Sequence, residues 1–230
     1  MAHRRNEYFL ASKCGCPLGQ LPGPLPQQHD FTRKNILDGV HQSLRRMKTD
    51  RLDLLQLHIS PSKHVIDQES VVKTLQDLQR EGKVRFIGSS STLPNILDHI
   101  KMGVFDEFQI PYSALERDHE EVISQAAKAG AGIVIRGGVA RGSAAMNPYA
   151  ADRWNAWDKA KMSELADGVS APEFLLRFTI SHPDMTTTIV GTLNPEHLAQ
   201  NVTTARKGPL PPAIYNEAKK RLATVGVAAK

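Results

Sequence analysis

Polar or glycine residues stand at the end of each short apolar run in this sequence, where they could take part in chemistry. Lys13 ends the first run and His58 ends the second. A lysine at the end of an apolar strand is costly unless its charge is paired or used, and histidine titrates near neutral pH. The alternative is structural, because a rim lysine can extend into water and a rim histidine can simply be hydrogen-bonded. The other residues of this kind are Ser89, Ser90, Ser91, Gln109, Arg136, Gly191 and Thr192.

The apolar runs alternate with longer segments of helical spacing, which is the pattern of a parallel sheet built from β/α units. Since the carboxyl ends of parallel strands meet at one edge of the sheet, the polar residues that end the strands are expected to share that edge. The predicted strands are residues 8–13, 52–58, 84–88, 105–110, 132–136 and 186–190.

Helical spacing follows the predicted strands. In the first helix Ile36, Val40 and Leu44 recur on one face, and Thr32 is a suitable N-cap residue. Prolines at helix starts and glycines at helix ends mark several of the others. The predicted helices are residues 32–47, 71–82, 94–102, 116–129, 159–166, 172–181 and 195–206, with an extra C-terminal helix at 213–225.

Six strand-plus-helix units decide the predicted architecture. A closed (β/α)8 TIM barrel has eight such units in about 250 residues, and this chain has 230 residues. We therefore predict an α/β fold of the (β/α)8 TIM-barrel type that is incomplete, with six units and a C-terminal helix in a single domain over residues 1–230. An open doubly wound sheet is the alternative, although no G-x-G-x-x-G sequence follows the first strand.

Three segments of the sequence resemble aldo-keto reductases. They are YFLASK at 8–13, LRRMKTDRLDLLQLH at 44–58 and GKVRFIGSS at 82–90. The resemblance continues in QIPYS at 109–113 and in GTLNPEHL at 191–198, and it covers essentially the whole chain. It implies the (β/α)8 barrel of that family, of which this sequence corresponds to the third to eighth units.

The resemblance implies reduction of an aldehyde or ketone by hydride from a nicotinamide cofactor. In the family a tyrosine protonates the carbonyl oxygen, a lysine paired with an aspartate lowers the pKa of that tyrosine, and a histidine orients the carbonyl. Lys13 matches the lysine and His58 matches the histidine. Hydride transfer leaves negative charge on oxygen, which an acid and nearby positive charge stabilise. The aspartate and tyrosine belong to a family segment that this sequence is expected to lack, and no tyrosine here, Tyr112 included, stands in that motif.

The resemblance also implies residues that hold the nicotinamide end of the cofactor. Ser90, Ser91 and Gln109 would bind the nicotinamide carboxamide. Arg136 would pack on the nicotinamide ring, and Gly137 belongs to the same predicted cofactor-binding set.

A second implied set holds the adenosine end. Gly191 and Thr192 would meet the phosphates through backbone N–H groups at the start of a helix, and Asn201 would face the adenine. Members that prefer NADP often have Lys or Arg where this sequence has Gly191 and His197, which leaves the choice between NADP and NAD open. Of the two, we favour NADPH as the cofactor. An ordinary capped helix is the alternative explanation of Thr192, His197 and Asn201.

Composition limits the other classes of function. The 29 Lys and Arg residues exceed the 24 Asp and Glu residues, but they are dispersed, so nucleic acid is not an expected partner. No apolar run approaches the roughly 20 residues that cross a bilayer, and the first residues do not read as a signal peptide. Cys14 and Cys16 fit neither a redox pair nor a zinc site by spacing. We therefore expect reduced thiols, no metal, no membrane association and a cytoplasmic location.

Three hypotheses of function follow from the sequence. The first is an NAD(P)H-dependent reductase of a small carbonyl substrate. The second is a non-catalytic relative that binds a nucleotide or regulates another protein, and the third is a fragment of a longer reductase. With six units, the sheet is expected to expose edges that promote self-association.

Overall fold

The computed structural model of the chain describes residues 2–19, 29–140 and 151–230. Within these ranges the strands form one sheet in the sequential order β1 to β6. The register of β1 with β2, of β2 with β3 and of β5 with β6 is parallel. The strands are β1 (Ala11–Cys14), β2 (Leu52–Leu57), β3 (Val84–Ser90), β4 (Glu107–Pro111), β5 (Gly132–Arg136) and β6 (Thr187–Thr188).

Helices follow the strands in the order expected of β/α units, and a C-terminal helix completes the described chain. None of the helices in the described ranges combines the length and the apolar character needed to cross a membrane. The α/β fold predicted from the sequence is confirmed. The helices are α1 (Arg33–Met47), α2 (Lys63–Gln68), α3 (Val71–Arg80), α4 (Ile96–Met102), α5 (Glu120–Lys128), α6 (Ala151–Lys159), α7 (Met162–Ala166), α8 (Ala171–Ile180), α9 (Pro195–Arg206) and α10 (Pro212–Thr224).

Several element bounds differ from the sequence-based predictions for local reasons. A 3-10 helix at Ala2–Glu7 precedes β1, which begins at residue 11 instead of residue 8. The α5 helix begins late because Ser113 and Glu116 exchange two backbone hydrogen bonds in a turn before it. The short helix α2, capped by the side chain of Ser62, was not predicted. A helix of fewer than two turns carries too little periodicity to be recognised in a sequence.

The described chain divides into two compact units. Unit 1 is Met1–Phe108 with Ala129–Ala131, and unit 2 is Gln109–Lys128 with Gly132–Lys230. The prediction of a single domain over the whole chain stays a prediction. So does self-association, which would involve β1 and β6 as the outer strands of the sheet in the described residues.

The core of unit 1 forms around β2, in which every residue is buried. Asp53 is the charged member of this strand. Its carboxylate accepts a hydrogen bond from the backbone N–H of Leu10 at 2.8 Å and forms ion pairs with Arg5 at 2.7 Å and Arg85 at 2.8 Å. A buried carboxylate survives in the folded state only when it is paired and hydrogen-bonded in this way. These contacts fix the chain just before β1 against β2 and β3.

The core of unit 2 contains a buried ionic group where α5 meets α10. The Arg117 guanidinium lies 2.6 Å from the carboxylate of Glu120 and also donates to the backbone carbonyls of Lys219 and Val227. The Lys219 ammonium group forms a second ion pair with Glu120. Although burial raises the pKa of Glu120, hydrogen bonds from Lys219 and Arg117 outweigh burial and lower it. The C-terminal helix is thereby held to α5.

Candidate functional site

Lys13 occupies the face of the sheet opposite to α1. Lys13 is in register with Gln56 of β2, and Gln56 is in register with Gly88 of β3. The neighbouring residue Ser12 has its hydroxyl 3.3 Å from the hydroxyl of Ser43 on α1. Successive side chains of a strand point to opposite faces, so Lys13 shares the other face with Gln56. The side chain of Lys13 is exposed.

A buried carboxyl group lies on the same face as Lys13. The Gln56 amide donates hydrogen bonds to both carboxyl oxygens of Glu107, at 2.8 and 3.0 Å. Gly88 makes room for this group, because a Cβ atom there would lie 2.2 Å from a Glu107 oxygen. Burial raises the pKa of Glu107 to about 7, while Gln56 and the charge of Lys13 act in the lowering direction.

Glu107 is not among the site residues predicted from the sequence. A signal was present, because an acidic residue inside an apolar strand is costly when buried. With its pKa near neutrality, Glu107 can hold or release a proton under ordinary conditions.

His58 follows β2 directly and is half-buried. Its backbone N–H donates to the carbonyl of Cys14 at 2.9 Å, which continues the β1–β2 ladder. The imidazole Nδ1 lies 2.9 Å from the Sγ atom of Cys16, and the ring meets the ring of His29 edge-on, with centroids 5.4 Å apart. His58 is among the site residues predicted from the sequence, whereas its neighbours Cys16 and His29 are not.

The two cysteines of this region differ in environment. Burial raises the pKa of Cys14 to about 12, and its Sγ faces the backbone carbonyl of Gln56. Cys16 is exposed, and although burial of its Sγ raises its pKa, the charge of Lys13 acts in the lowering direction. Cys16 is therefore the accessible thiol, and it lies within electrostatic reach of Lys13 and in contact with His58. Both cysteines are free thiols.

The serines that end β3 face two different sides. Ser91 and Ser89 are 2.6 Å apart at their hydroxyls, and both reach Nδ1 of His99 on α4, at 2.8 and 3.0 Å. Nε2 of His99 lies 2.8 Å from the backbone carbonyl of Pro61 and must donate to it, so Nδ1 is the acceptor for a serine hydroxyl. Burial lowers the pKa of His99, which keeps the ring neutral. By strand alternation Ser90 lies on the opposite face, with Gly88.

In unit 2 the predicted nicotinamide-binding residues lie in or just after strands. Gln109 is buried in β4, and Arg136 ends β5 half-buried. Gly137 follows with φ 75° and accepts a hydrogen bond from Ala140 at 2.8 Å in a tight turn. Thr179 of α8 donates to the carbonyl of Gly138 at 2.8 Å and so holds this turn in place.

The predicted adenosine-binding residues lie at the start of α9 and are mostly exposed. Gly191, Thr192 and His197 are exposed, and Asn201 is half-buried on the helix. The side chain of Asn194 caps the helix by accepting from the N–H of Glu196 at 2.9 Å. The predicted bounds of this helix, 195–206, are confirmed.

Tyr112 is enclosed within unit 2. Its side chain is fully buried, its hydroxyl lies 3.0 Å from that of Tyr215, and its ring packs on Phe178 and His182. Burial raises the pKa of Tyr112. A phenol that is buried and bonded to a second phenol is poorly suited to donate a proton to a substrate, so the structure gives Tyr112 a packing role.

Comparison with known proteins identifies the family. The sequence model of the Aldo/keto reductase family matches residues 1–221 of the chain. This chain belongs to the aldo/keto reductase family. It is 28% identical over 218 residues to the uncharacterized oxidoreductase YqkF of Bacillus subtilis, with 88% of this chain and 70% of that protein covered.

Two further similarities extend the comparison to a named aldo-keto reductase and to a solved structure. It is 32% identical over 129 residues to the aldo-keto reductase dtxS3 of Metarhizium robertsii, with 53% of this chain and 34% of that protein covered. Its fold matches the holo form of aldo-keto reductase AKR11C1 from Bacillus halodurans with a TM-score of 0.82 and 26% identity, covering 99% of this chain and 76% of that one. The six sequential β/α units are therefore part of an aldo-keto reductase barrel, as predicted.

Proposed function

We propose that this protein is an NAD(P)H-dependent oxidoreductase that reduces aldehydes or ketones to alcohols. The observation that carries the proposal is the placement of Lys13 and His58, two residues that match the family's catalytic positions, at the carboxyl ends of neighbouring strands. The Cys14–His58 backbone bond joins those strand ends, and Cys16 contacts His58 within reach of the charge of Lys13. A substrate oxygen beside both groups would meet a positive charge and an imidazole.

The donor groups available in unit 2 fit a nicotinamide dinucleotide. In unit 2 the amide of Gln109 suits a carboxamide, and the exposed backbone at Gly191 and Thr192 precedes the N-terminus of a 12-residue helix, which suits phosphate. A Cβ atom at Gly191 would meet nothing within 4 Å, so the backbone there is open to a ligand. When bound, the cofactor supplies the hydride. We favour NADPH as that cofactor.

Two residues of unit 1 would act on the carbonyl group, and solvent water would supply the proton that completes the alcohol, because no tyrosine of this sequence stands in the family's acid motif. The ammonium group of Lys13 would stabilise negative charge on the carbonyl oxygen, and His58 would orient that carbonyl. Ser90, on the same face as Gly88, suits contact with the cofactor better than Ser91, whose hydroxyl is bonded to His99. Glu107 is a buried carboxyl group on this face, and the charge of Lys13 acts to lower its pKa.

The test compares cofactor binding with turnover. Binding of NADPH and NADH is followed by the fluorescence of the reduced nicotinamide, and oxidation of each is followed with a panel of aldehydes and ketones. We expect Lys13→Met and His58→Gln to lower kcat by about a hundredfold with the Kd for NADPH within about threefold of the unmodified value. Lys63→Met and His64→Gln replace exposed residues of α2 and serve as matched controls.

The result also separates the other hypotheses. Nicotinamide binding without turnover of any carbonyl compound would favour a non-catalytic nucleotide-binding relative. Failure to bind either cofactor would contradict the proposed function.

A further inference from the structure

We propose that Cys16, His29 and His58 of unit 1 form a binding site for Zn²⁺. One ligand atom of each residue lies within 4.8 Å of the ligand atoms of the other two. A thiolate and two imidazoles are ligands that Zn²⁺ prefers, and three protein ligands with a fourth position open to water form a known type of zinc site. Nothing in the aldo-keto reductase resemblance assigns Cys16 or His29 a role.

The ligand distances are close to those of a tetrahedral site. With Zn–S of about 2.3 Å and Zn–N of about 2.0–2.1 Å, neighbouring ligand atoms in a tetrahedron lie roughly 3.4–3.6 Å apart. The Sγ of Cys16 and Nδ1 of His58 are 2.9 Å apart and would separate slightly. The ligand distances to His29 are at most 4.8 Å, so they would shorten by at most roughly 1.4 Å. Rotation of these exposed and half-buried side chains is enough for both adjustments.

The backbone that carries the ligands is held by several independent contacts. The N–H of Asp30 donates to the carbonyl of Gly15 at 2.9 Å, which fixes the residues next to His29 and Cys16 against each other. Asn35 at the start of α1 donates to the carbonyls of Cys16 at 3.1 Å and Asp30 at 2.7 Å. A single buried amide thus spans both ligand-bearing segments. His58 is fixed to the same place by its backbone bond to Cys14.

Gly15 lets these segments approach. Its φ is 102°, a conformation open to glycine, and a Cβ atom there would lie 2.4 Å from the ring of Phe31. The Phe31 ring is buried against this glycine and stacks with the ring of His29. The chain therefore brings the imidazole of His29 towards Cys16 before any ion binds, which lowers the conformational cost of forming the site.

Zinc binding has a consequence for the proposed reductase. An ion coordinated to His58 would take up the imidazole that is proposed to orient the carbonyl. We therefore expect Zn²⁺ to inhibit turnover. This consequence rests on the proposed function, whereas binding of the ion does not.

The experiment measures binding without cofactor or substrate. The full chain, purified with a chelator and then desalted, is titrated with CoCl2 and with ZnCl2. We expect Co²⁺ to give a thiolate-to-cobalt charge-transfer absorption and the intense visible bands of tetrahedral coordination, and Zn²⁺ to displace it. Cys16→Ser should abolish the charge-transfer band, and His29→Ala should weaken Zn²⁺ binding by about a hundredfold or more.

Two matched variants and one measurement on the unmodified protein complete the design. Cys14→Ala removes the other thiol and His64→Ala removes an exposed histidine of the same unit, and both should keep the cobalt spectrum. In the unmodified protein, Zn²⁺ should slow alkylation of Cys16, as read by peptide mapping, which does not depend on how any variant folds. Absence of the charge-transfer band at excess Co²⁺, alkylation of Cys16 that Zn²⁺ does not slow, or zinc affinity unchanged in Cys16→Ser and His29→Ala would each overturn the proposal.

Discussion

The polar residues of unit 1 and those of the α9 region in unit 2 differ in how the fold uses them. In unit 1 the polar groups at Asp53, Glu107 and His99 are buried, and each is bonded to groups from other parts of the chain. In unit 2 Thr192 and His197 are exposed at a helix start. Folding alone fixes the first set, so replacing its members should change the free energy of unfolding. We expect the second set to be replaceable with little effect on folding.

Among the buried polar residues of unit 1, Asp53 should cause the largest loss of unfolding free energy when it is replaced. Asp53→Asn removes the charge that pairs Arg5 and Arg85 while their guanidinium groups stay in place. Removing one partner of a buried ion pair costs about 3–5 kcal/mol of unfolding free energy, and denaturation in guanidinium chloride measures it. Asp50→Asn is the control, because the side chain of Asp50 is 85% exposed; we expect a change below about 0.5 kcal/mol there. Equal losses of unfolding free energy in Asp53→Asn and Asp50→Asn would contradict the expected difference between a buried and an exposed aspartate.

Glu107 should make stability depend on pH in a defined direction. The pKa of Glu107 is raised from 4.5 to about 7 in the folded chain, so between these values the folded state holds a proton that the unfolded state releases. The contribution of Glu107 to the free energy of unfolding is therefore most favourable below about pH 4.5. It falls as pH rises towards 7, by on the order of 3 kcal/mol. Denaturation at about pH 5 and about pH 8 measures the slope.

Glu107→Gln should flatten that part of the pH profile and leave the variant more stable than the unmodified protein at the higher pH. Glu121→Gln, at an exposed position of α5, should keep the original slope. A slope that is unchanged by Glu107→Gln would show that another group is responsible.

His99 of unit 1 and His197 of the α9 region allow a direct comparison of one residue type, with the smallest expected change in unfolding free energy. His99→Ala removes a buried ring bonded to Ser89, Ser91 and Pro61, and should lower the unfolding free energy by about 2 kcal/mol through an unfilled space and unsatisfied hydroxyls. His197→Ala, on the exposed side of α9, should change it by less than about 0.5 kcal/mol. Thermal and denaturant unfolding measure both, and a destabilising His197→Ala would mean that the α9 region is also part of the folded core.

Much of the fold could be predicted from local patterns. Thr32 caps α1 by accepting from the N–H of Asn35, as its place in the sequence indicated, and the bounds of α9 follow from Asn194 and Pro195. Such signals act within a few residues, so the sequence displays them directly. The predicted positions of Lys13 and His58 at strand ends depend on the same alternation of strands and helices.

The pairs that give the sites their chemistry could not be predicted in this way. Cys16 meets His58 from 42 residues away, and Gln56 meets Glu107 from 51 residues away. Ser91 was predicted to bind cofactor from its place after β3, yet its hydroxyl is bonded to His99 because strand alternation turns it towards α4. Its contact with cofactor stays a prediction.

The sequence by itself determined the order of strands and helices, the family resemblance and the strand ends at which polar residues stand, because these depend on short-range periodicity and capping. Tertiary structure alone decided which of those residues face one another. The parallel register of β1, β2 and β3 places Lys13, Gln56 and Gly88 side by side. Burial then sets the pKa of Glu107, and packing around Gly15 brings His29 towards Cys16. Desolvation and close contact between distant segments exist only once the chain has folded.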